Sequence, residues 1–327
     1  MTKRVNRREF MRNSILASTG LAAGLGLPEA AKAHPQNVPS RGATASTKET
    51  LPTGKIGNLR ITRLILGGNL LTRYQHVRDL DYILKLVNSY NTDKKIRETI
   101  ELAEASGINT LSVNITPGVR KILGDHRKNG GKMQWILYAT SDIEDFSRYR
   151  DDLRTMADDG AEAIYIWGVH ADAYVVKGKL EVISKVLEEA KLLDVPCGIG
   201  AHDLRVVQEI EKHQLPVAFY IKTLHSHGYP TAPRAGENHG ITSEIPGHWC
   251  SNPEETIAAM KDIHKPWIAF KVMAAGAIPP KDAFAYAFNN GADFVLAGMF
   301  DFDIVEDCQI ARDTLAQVQN RARAWRG

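Results

Sequence analysis

From Ile61 onward, short apolar and often β-branched runs alternate with longer stretches in which apolar residues recur at spacings of three and four. The runs are Ile61–Gly67, Ile108–Val113, Met133–Ala139, Ala161–Trp167, Val195–Gly200, Val217–Thr223, Trp267–Met273 and Ala292–Ala297. Between them, Asp93–Ser106, Leu180–Leu193, Leu204–His213 and Glu254–Ile263 carry the amphipathic pattern of helices. Parallel strands need crossovers of this kind. Gly107, Gly160 and Gly291 stand where helices should end, and Ser251-Asn252-Pro253-Glu254 reads as a cap followed by a first helical turn. Leu51 to Arg60, around Gly54 and Gly57, predicts a short hairpin before the first run. Eight strand–helix pairs predict an α/β fold, a (β/α)8 barrel with an N-terminal β-hairpin. A doubly wound sheet gives the same alternation with fewer strands, and no GxGxxG follows the first run.

The pattern changes before Leu51. Asn6-Arg7-Arg8-Glu9-Phe10-Met11 sets adjacent arginines before apolar residues, and Ser14 to Leu27 follows as an Ala- and Gly-rich run too short to hold a membrane span. Ala31-Lys32-Ala33 has the small-x-small form of a cleavage site before His34. Residues 1–33 therefore predict a twin-arginine signal peptide, residues 34–50 a flexible linker, and residues 51–327 the barrel domain. The expectation is export through the Tat translocon to the periplasm or beyond, with no stable membrane insertion after cleavage. Such export often follows folding or cofactor loading.

Composition narrows the partners. A chain of 327 residues, 43% hydrophobic, can bury a full core. The net charge of +3 comes from 41 basic and 38 acidic residues, with several basic ones in the first twelve positions, so the mature part is close to neutral. There is no basic stripe with interleaved aromatics, which excludes nucleic acid as the expected partner. Cys197, Cys250 and Cys308 form no CxxC pair, which argues against an iron–sulfur cluster or zinc knot and leaves one disulfide open.

The hairpin followed by Leu64-Ile65-Leu66-Gly67-Gly68 resembles the opening of an aldo/keto reductase, and Ile164-Tyr165-Ile166-Trp167-Gly168-Val169-His170 resembles that family's strand-four segment, which ends in its catalytic His. Pro196-Cys197-Gly198-Ile199-Gly200-Ala201-His202 stands where the family has Gly-Val-Ser-Asn, and Trp267-Ile268-Ala269-Phe270-Lys271 resembles its seventh strand. The resemblance implies the barrel fold and an NADPH site with a Tyr, Asp, Lys and His proton relay. Most of that relay is missing. Setting Leu123-Gly124 against the family pair puts Leu111 in place of the Asp and Thr116 in place of the Tyr, and Tyr138-Ala139-Thr140-Ser141 lacks the Lys. Only His170 matches, and Ala201-His202 or Gly200-Ala201 replaces the Ser-Asn that would hold the nicotinamide. A shared fold with a different function is the expectation.

Barrel active sites form at the C-terminal ends of the strands. Two loops on that face are long: Asn69 to Thr92, with room for a helix, and His225 to Asn252, which offers Tyr229, Arg234, Glu237, His239, His248 and Trp249. His170, His202 and His225 or His227 are expected at the mouth, where with Asp203 or Glu237 they could hold a divalent metal ion or instead line a pocket as hydrogen-bonding histidines. Lys222 and Lys271 stand inside predicted strands, and a lysine pointing into the barrel would be a base, a Schiff-base nucleophile or an anion anchor. Ala274-Ala275-Gly276 and Ala297-Gly298 could present backbone N–H groups to a phosphate, which Asp301 and Asp303 would oppose.

The sequence thus points to an exported lyase, isomerase or hydrolase acting on a small, sugar-like substrate. His170, His202, Lys222 and Lys271 would be catalytic, His170, His202 and His225 the metal ligands, and Gly276 and Gly298 cofactor-binding. The alternatives are an NADP-dependent reductase with Tyr74, Tyr138 or His170 as a rebuilt proton donor, a Schiff-base aldolase, and a non-catalytic binding protein.

Overall fold

A computed structural model describes residues 50–77, 80–232 and 250–327. The hairpin forms as expected: β1 (Thr53–Ile56) and β2 (Leu59–Thr62) pair antiparallel with Thr53 opposite Thr62. Gly57, at φ 57°, makes the turn in the left-handed region that a two-residue hairpin loop requires.

Eight parallel strands close the barrel: β3 (Leu64–Gly67), β4 (Thr110–Asn114), β5 (Gln134–Tyr138), β6 (Ala163–Ile166), β7 (Cys197–Ala201), β8 (Tyr220–Thr223), β9 (Trp267–Phe270) and β10 (Phe294–Ala297). Closure is through β10 and β3, with Val295 opposite Leu64. Each predicted run contains one of these strands, extended by a single residue at Asn114 and at Ala201. Two boundaries need correction. Ile61 and Thr62 belong to β2, and β9 stops at Phe270 because Lys271 turns to φ 58°.

Ten helices lie among the described residues. They are α1 (Tyr82–Tyr90), α2 (Asp93–Ala105), α3 (Pro117–Lys128), α4 (Phe146–Asp158), α5 (Gly168–Val176), α6 (Leu180–Leu192), α7 (Leu204–Lys212), α8 (Pro253–Lys261), α9 (Pro280–Asn289) and α10 (Ile304–Gln317). The loop after β3 does hold a helix, α1. Capping follows the sequence: Thr92 accepts from Lys95 N–H at 3.2 Å, Thr116 from Val119 N–H at 3.2 Å and Asp203 from Arg205 N–H at 2.9 Å. None of the helices is long and apolar enough to cross a membrane.

Strand alternation divides the core into two layers. Ile65, Ile136, Ala163, Phe219, Ile221, Ile268 and Phe294 fill the barrel, while Leu64, Leu66, Leu111, Trp135, Leu137, Tyr220 and Trp267 meet the helices. Ile56 and Ile61 of the hairpin join the inner set, so the hairpin plugs the N-terminal end. Gly198 leaves room for the Phe219 ring, which a Cβ there would meet at 2.4 Å.

Candidate active site

At the C-terminal mouth lies a cavity of about 520 Å³ lined by the ends of β3 to β7, β9 and β10 and the loops beside them. Its walls are aromatic. Tyr138 packs on Tyr165 at 4.8 Å and stacks on Trp167 at 6.4 Å, and Tyr74 meets His76 edge-on at 5.9 Å. Burial holds the phenols of Tyr138 and Tyr165 above their ordinary range, so both stay protonated donors.

His202 follows β7 and is oriented from below. Its Nδ1–H donates to Asp172 Oδ2 at 2.8 Å, and Asp172 Oδ1 accepts the backbone N–H groups of His202 and Asp203 at 3.0 Å each. Asp172 comes from α5 and is fully buried. Burial pushes its carboxyl up to about 7, opposed by the N–H groups of Asp203 and His202 and by Lys222. Burial, then Lys271 and Lys222, holds His202 well below the usual imidazole range, so the ring is neutral and Nε2 carries its lone pair. Gly168 lets the ring settle, since a Cβ there would lie 3.1 Å from it.

Lys271 lines the same cavity, with its ammonium 5.8 Å from the centre of the Phe270 ring, and Phe270 in turn packs on His202 at 5.2 Å. His76, from the loop after β3, is lowered to about 3 by burial and then by the positive charge of Lys271. A neutral imidazole pair and a cation therefore occupy one corner. Asp303 and Asp307 line the cavity at the β10 side. Gly276 and Gly298 also line it, as their sequence positions suggest.

The other expected residues are elsewhere. His170 does not line the cavity: it sits in the first turn of α5, between Trp167 (5.1 Å) and Tyr149 (6.0 Å), because Trp167 takes the place facing the mouth. His225 uses both ring nitrogens, Nδ1–H donating to Ser226 O at 3.1 Å and Nε2 accepting from Cys250 N–H at 3.1 Å. His227 donates to Cys250 O at 2.6 Å. The three-histidine metal centre does not assemble, and among the described residues no group of three His, Cys, Asp or Glu side chains could hold a metal ion.

Lys222 also departs from expectation. Alternation puts Ile221 inside the barrel and Lys222 on the helix side with Tyr220, where its ammonium donates to Thr223 Oγ1 at 2.8 Å. Asp301 is bound by Tyr90 and Lys95 at 2.6 and 2.9 Å rather than facing the mouth. Leu111 faces the helices and Ser112 faces the cavity, while Thr116 caps α3. The three cysteines are buried free thiols, so the open disulfide is not made. Tyr229 is buried against His225, whereas Arg234, Glu237, His239, His248 and Trp249 lie outside the described residues.

Sequence reasoning missed Asp172, His76, Ser112 and Asp307. Asp172 had a signal: an acid inside the otherwise apolar Ala171–Val176 stretch has no solvent face to occupy.

No protein-family model matches the chain, and no curated protein does. Solved structures match its fold. The aldo-keto reductase AKR11C1 from Bacillus halodurans, in its holo form, superposes with a TM-score of 0.54 at 11% identity, covering 85% of this chain and 100% of that one. Gox0644 in its apo form gives 0.53 at 8% identity, over 84% and 97% of the two chains. A Gox0644 variant in complex with NADPH gives 0.50 at 12% identity, over 81% and 94%. The protein has the (β/α)8 TIM-barrel fold, which it shares with these structures, an aldo-keto reductase among them.

Proposed function

We propose that this barrel is an enzyme that moves protons at a carbon next to a carbonyl in a small polyhydroxy substrate, as a lyase or isomerase. The observation that carries the reading is His202, buried, neutral and held by Asp172, in the same corner as Lys271. His202 Nε2 takes the proton from the carbon, and Asp172 stabilises the imidazolium that forms. The Lys271 ammonium stabilises the enolate oxygen, and the neutral phenol of Tyr138 or Tyr165 is available to return a proton. Aromatic walls suit the C–H faces of a sugar-like chain, and the polar groups between them suit its hydroxyls. The aldolase alternative moves from Lys222 to Lys271, the lysine at the cavity.

The test is deuterium uptake from D2O into a panel of free aldoses and ketoses, followed by NMR. Wild-type protein should exchange the proton beside the carbonyl, and His202→Asn should lose about 10²–10⁴-fold of that rate. Binding without exchange in the wild type would make the protein a non-catalytic binder and sink the reading.

A second reading, a nicotinamide-dependent oxidoreductase, is favoured by the NADPH complex of a neighbour with the same barrel and by the placing of Tyr74 and Tyr138 on the cavity. Against it stand Asp303 and Asp307 beside the loops after β9 and β10, where a phosphate would meet like charge. Fluorescence titration with NADPH decides between the two. Export rests on Arg7-Arg8 and the run after them, and fractionation of cells carrying Arg7→Lys/Arg8→Lys tests it, with retention inside the cell as the expected result.

A further inference from the structure

The loops after the seventh and eighth strands of such barrels, with the helix that follows, are a frequent phosphate site. Here that position carries the opposite chemistry. Asp303 stands at the N-cap position of α10, where its side chain makes no capping hydrogen bond, and Asp307 lies one turn on, with Asp307 N–H donating to Asp303 O at 2.9 Å, and both residues line the cavity. Asp307 is only 4% exposed, and among the described residues its carboxylate receives no hydrogen bond or ion pair. Lys95 is committed to Asp301 and Glu98 at 2.9 and 3.0 Å, so it does not answer this charge. Burial, then Asp303 and Glu306, raises the Asp307 carboxyl to about 7, as unrelieved like charges do.

We propose that Asp303 and Asp307 make the β10 side of the cavity a subsite for an uncharged, hydroxyl-bearing part of the substrate, so that the enzyme takes free polyhydroxy carbonyl compounds and rejects phosphorylated ones. Hydroxyl donors satisfy the carboxylates without adding charge, and a phosphate dianion would meet two groups of its own sign. Leu70, Leu296 and Phe300 beside them give the carbon chain an apolar wall. The inference rests on the proposed acid–base reading and supplies its substrate class.

The experiment is ligand-observed saturation-transfer NMR with glucose and fructose and their 6-phosphates, at one salt concentration, on wild type, Asp303→Asn and Asp303→Asn/Asp307→Asn. Free sugars should bind the wild type at least about tenfold more tightly than their phosphates, and the double variant should narrow that ratio by about tenfold. The single variant keeps the test open should the double variant fail to fold. Equal or tighter binding of the phosphates to wild type, an unchanged ratio in folded variants, or no signal from any free sugar overturns the proposal. Deuterium exchange is read separately: exchange intact with an unchanged ratio sinks this subsite alone, and a shifted ratio without exchange sinks the acid–base reading alone.

Discussion

The two ends of the barrel handle charge in opposite ways. At the N-terminal end Asp293 is fully buried and fully answered: Arg323 reaches it at 2.6 Å, and the N–H groups of Trp267 and Arg326 donate at 2.9 and 2.7 Å. Arg63 donates to Asp293 O and Gly327 O at 2.8 and 2.9 Å and lies 3.7 Å from the Trp325 ring centre. At the mouth, His202, His76, Lys271, Asp303 and Asp307 face a cavity instead. Backbone strain follows the same division. Asp194 and Gln214, with positive φ, end helices at the closed side, whereas Lys271, Ala274 and Ala275, at φ 58°, 46° and 53°, shape the loop beside the cavity. One end spends its polar groups on stability, and the other holds them for a ligand.

The sharpest way to break the comparison is at the closed end. Asp293→Ala removes the acceptor of two N–H groups and leaves Arg323, 1% exposed, as a buried cation with only the carbonyls of Ile263, Lys265 and Gly291 and no carboxylate to balance its charge. Losing one member of such a pair costs about 3–5 kcal/mol. Chemical denaturation should show that loss, while exchange activity per folded molecule stays at the wild-type level. A matching fall in specific activity would mean that the two ends are not separable.

At the mouth, Asp172→Asn should do the reverse. The amide still accepts N–H groups on one side but turns an NH2 toward His202, so Nδ1 becomes the acceptor and Nε2 carries the hydrogen. A base is thereby converted to a donor. Turnover should fall by about 10² or more with KM little changed, and 15N chemical shifts of His202 should report the exchanged tautomer. Unfolding midpoints should move far less than in Asp293→Ala. A fall in stability with an unchanged tautomer would reduce Asp172 to a packing role.

Periodicity is enough for the barrel because every strand is a short, mostly apolar run between helix signals, and Gly107, Gly160 and Gly291 do sit at positive φ after α2, α4 and α9. The site was less legible because facing is a matter of single residues. Lys222 and Ser112 each lie one position from a residue of the other layer, and no composition rule fixes that parity. His170 follows its strand by only a few residues, yet the chain has already entered α5. Three histidines near three strand ends looked alike in sequence, but each ring is oriented by a different helix start or loop. His202 was recognisable as a mouth residue. Its partner Asp172 lies 30 positions earlier, and only the packing of α5 on β7 brings them together.

The smallest expected effect sharpens the contrast, because at the mouth a substitution should stabilise. Asp307 has a folded-state pKa raised to about 7 from an ordinary 3.8, chiefly by burial and then by Asp303 and Glu306. Between those values the folded protein holds more proton than the unfolded chain, so its stability falls as pH rises from about 4 to 7 and the group's full cost is present above 7. Asp307→Asn removes that cost without changing the shape of the side chain. At pH 8 its melting temperature should exceed wild type by about 2–4 °C for each kcal/mol recovered, and the gain should shrink as pH falls and vanish below about pH 3, where Asp307 is protonated in both states. A loss of stability at pH 8 would show that the carboxylate is already satisfied, and the mouth would then resemble the closed end.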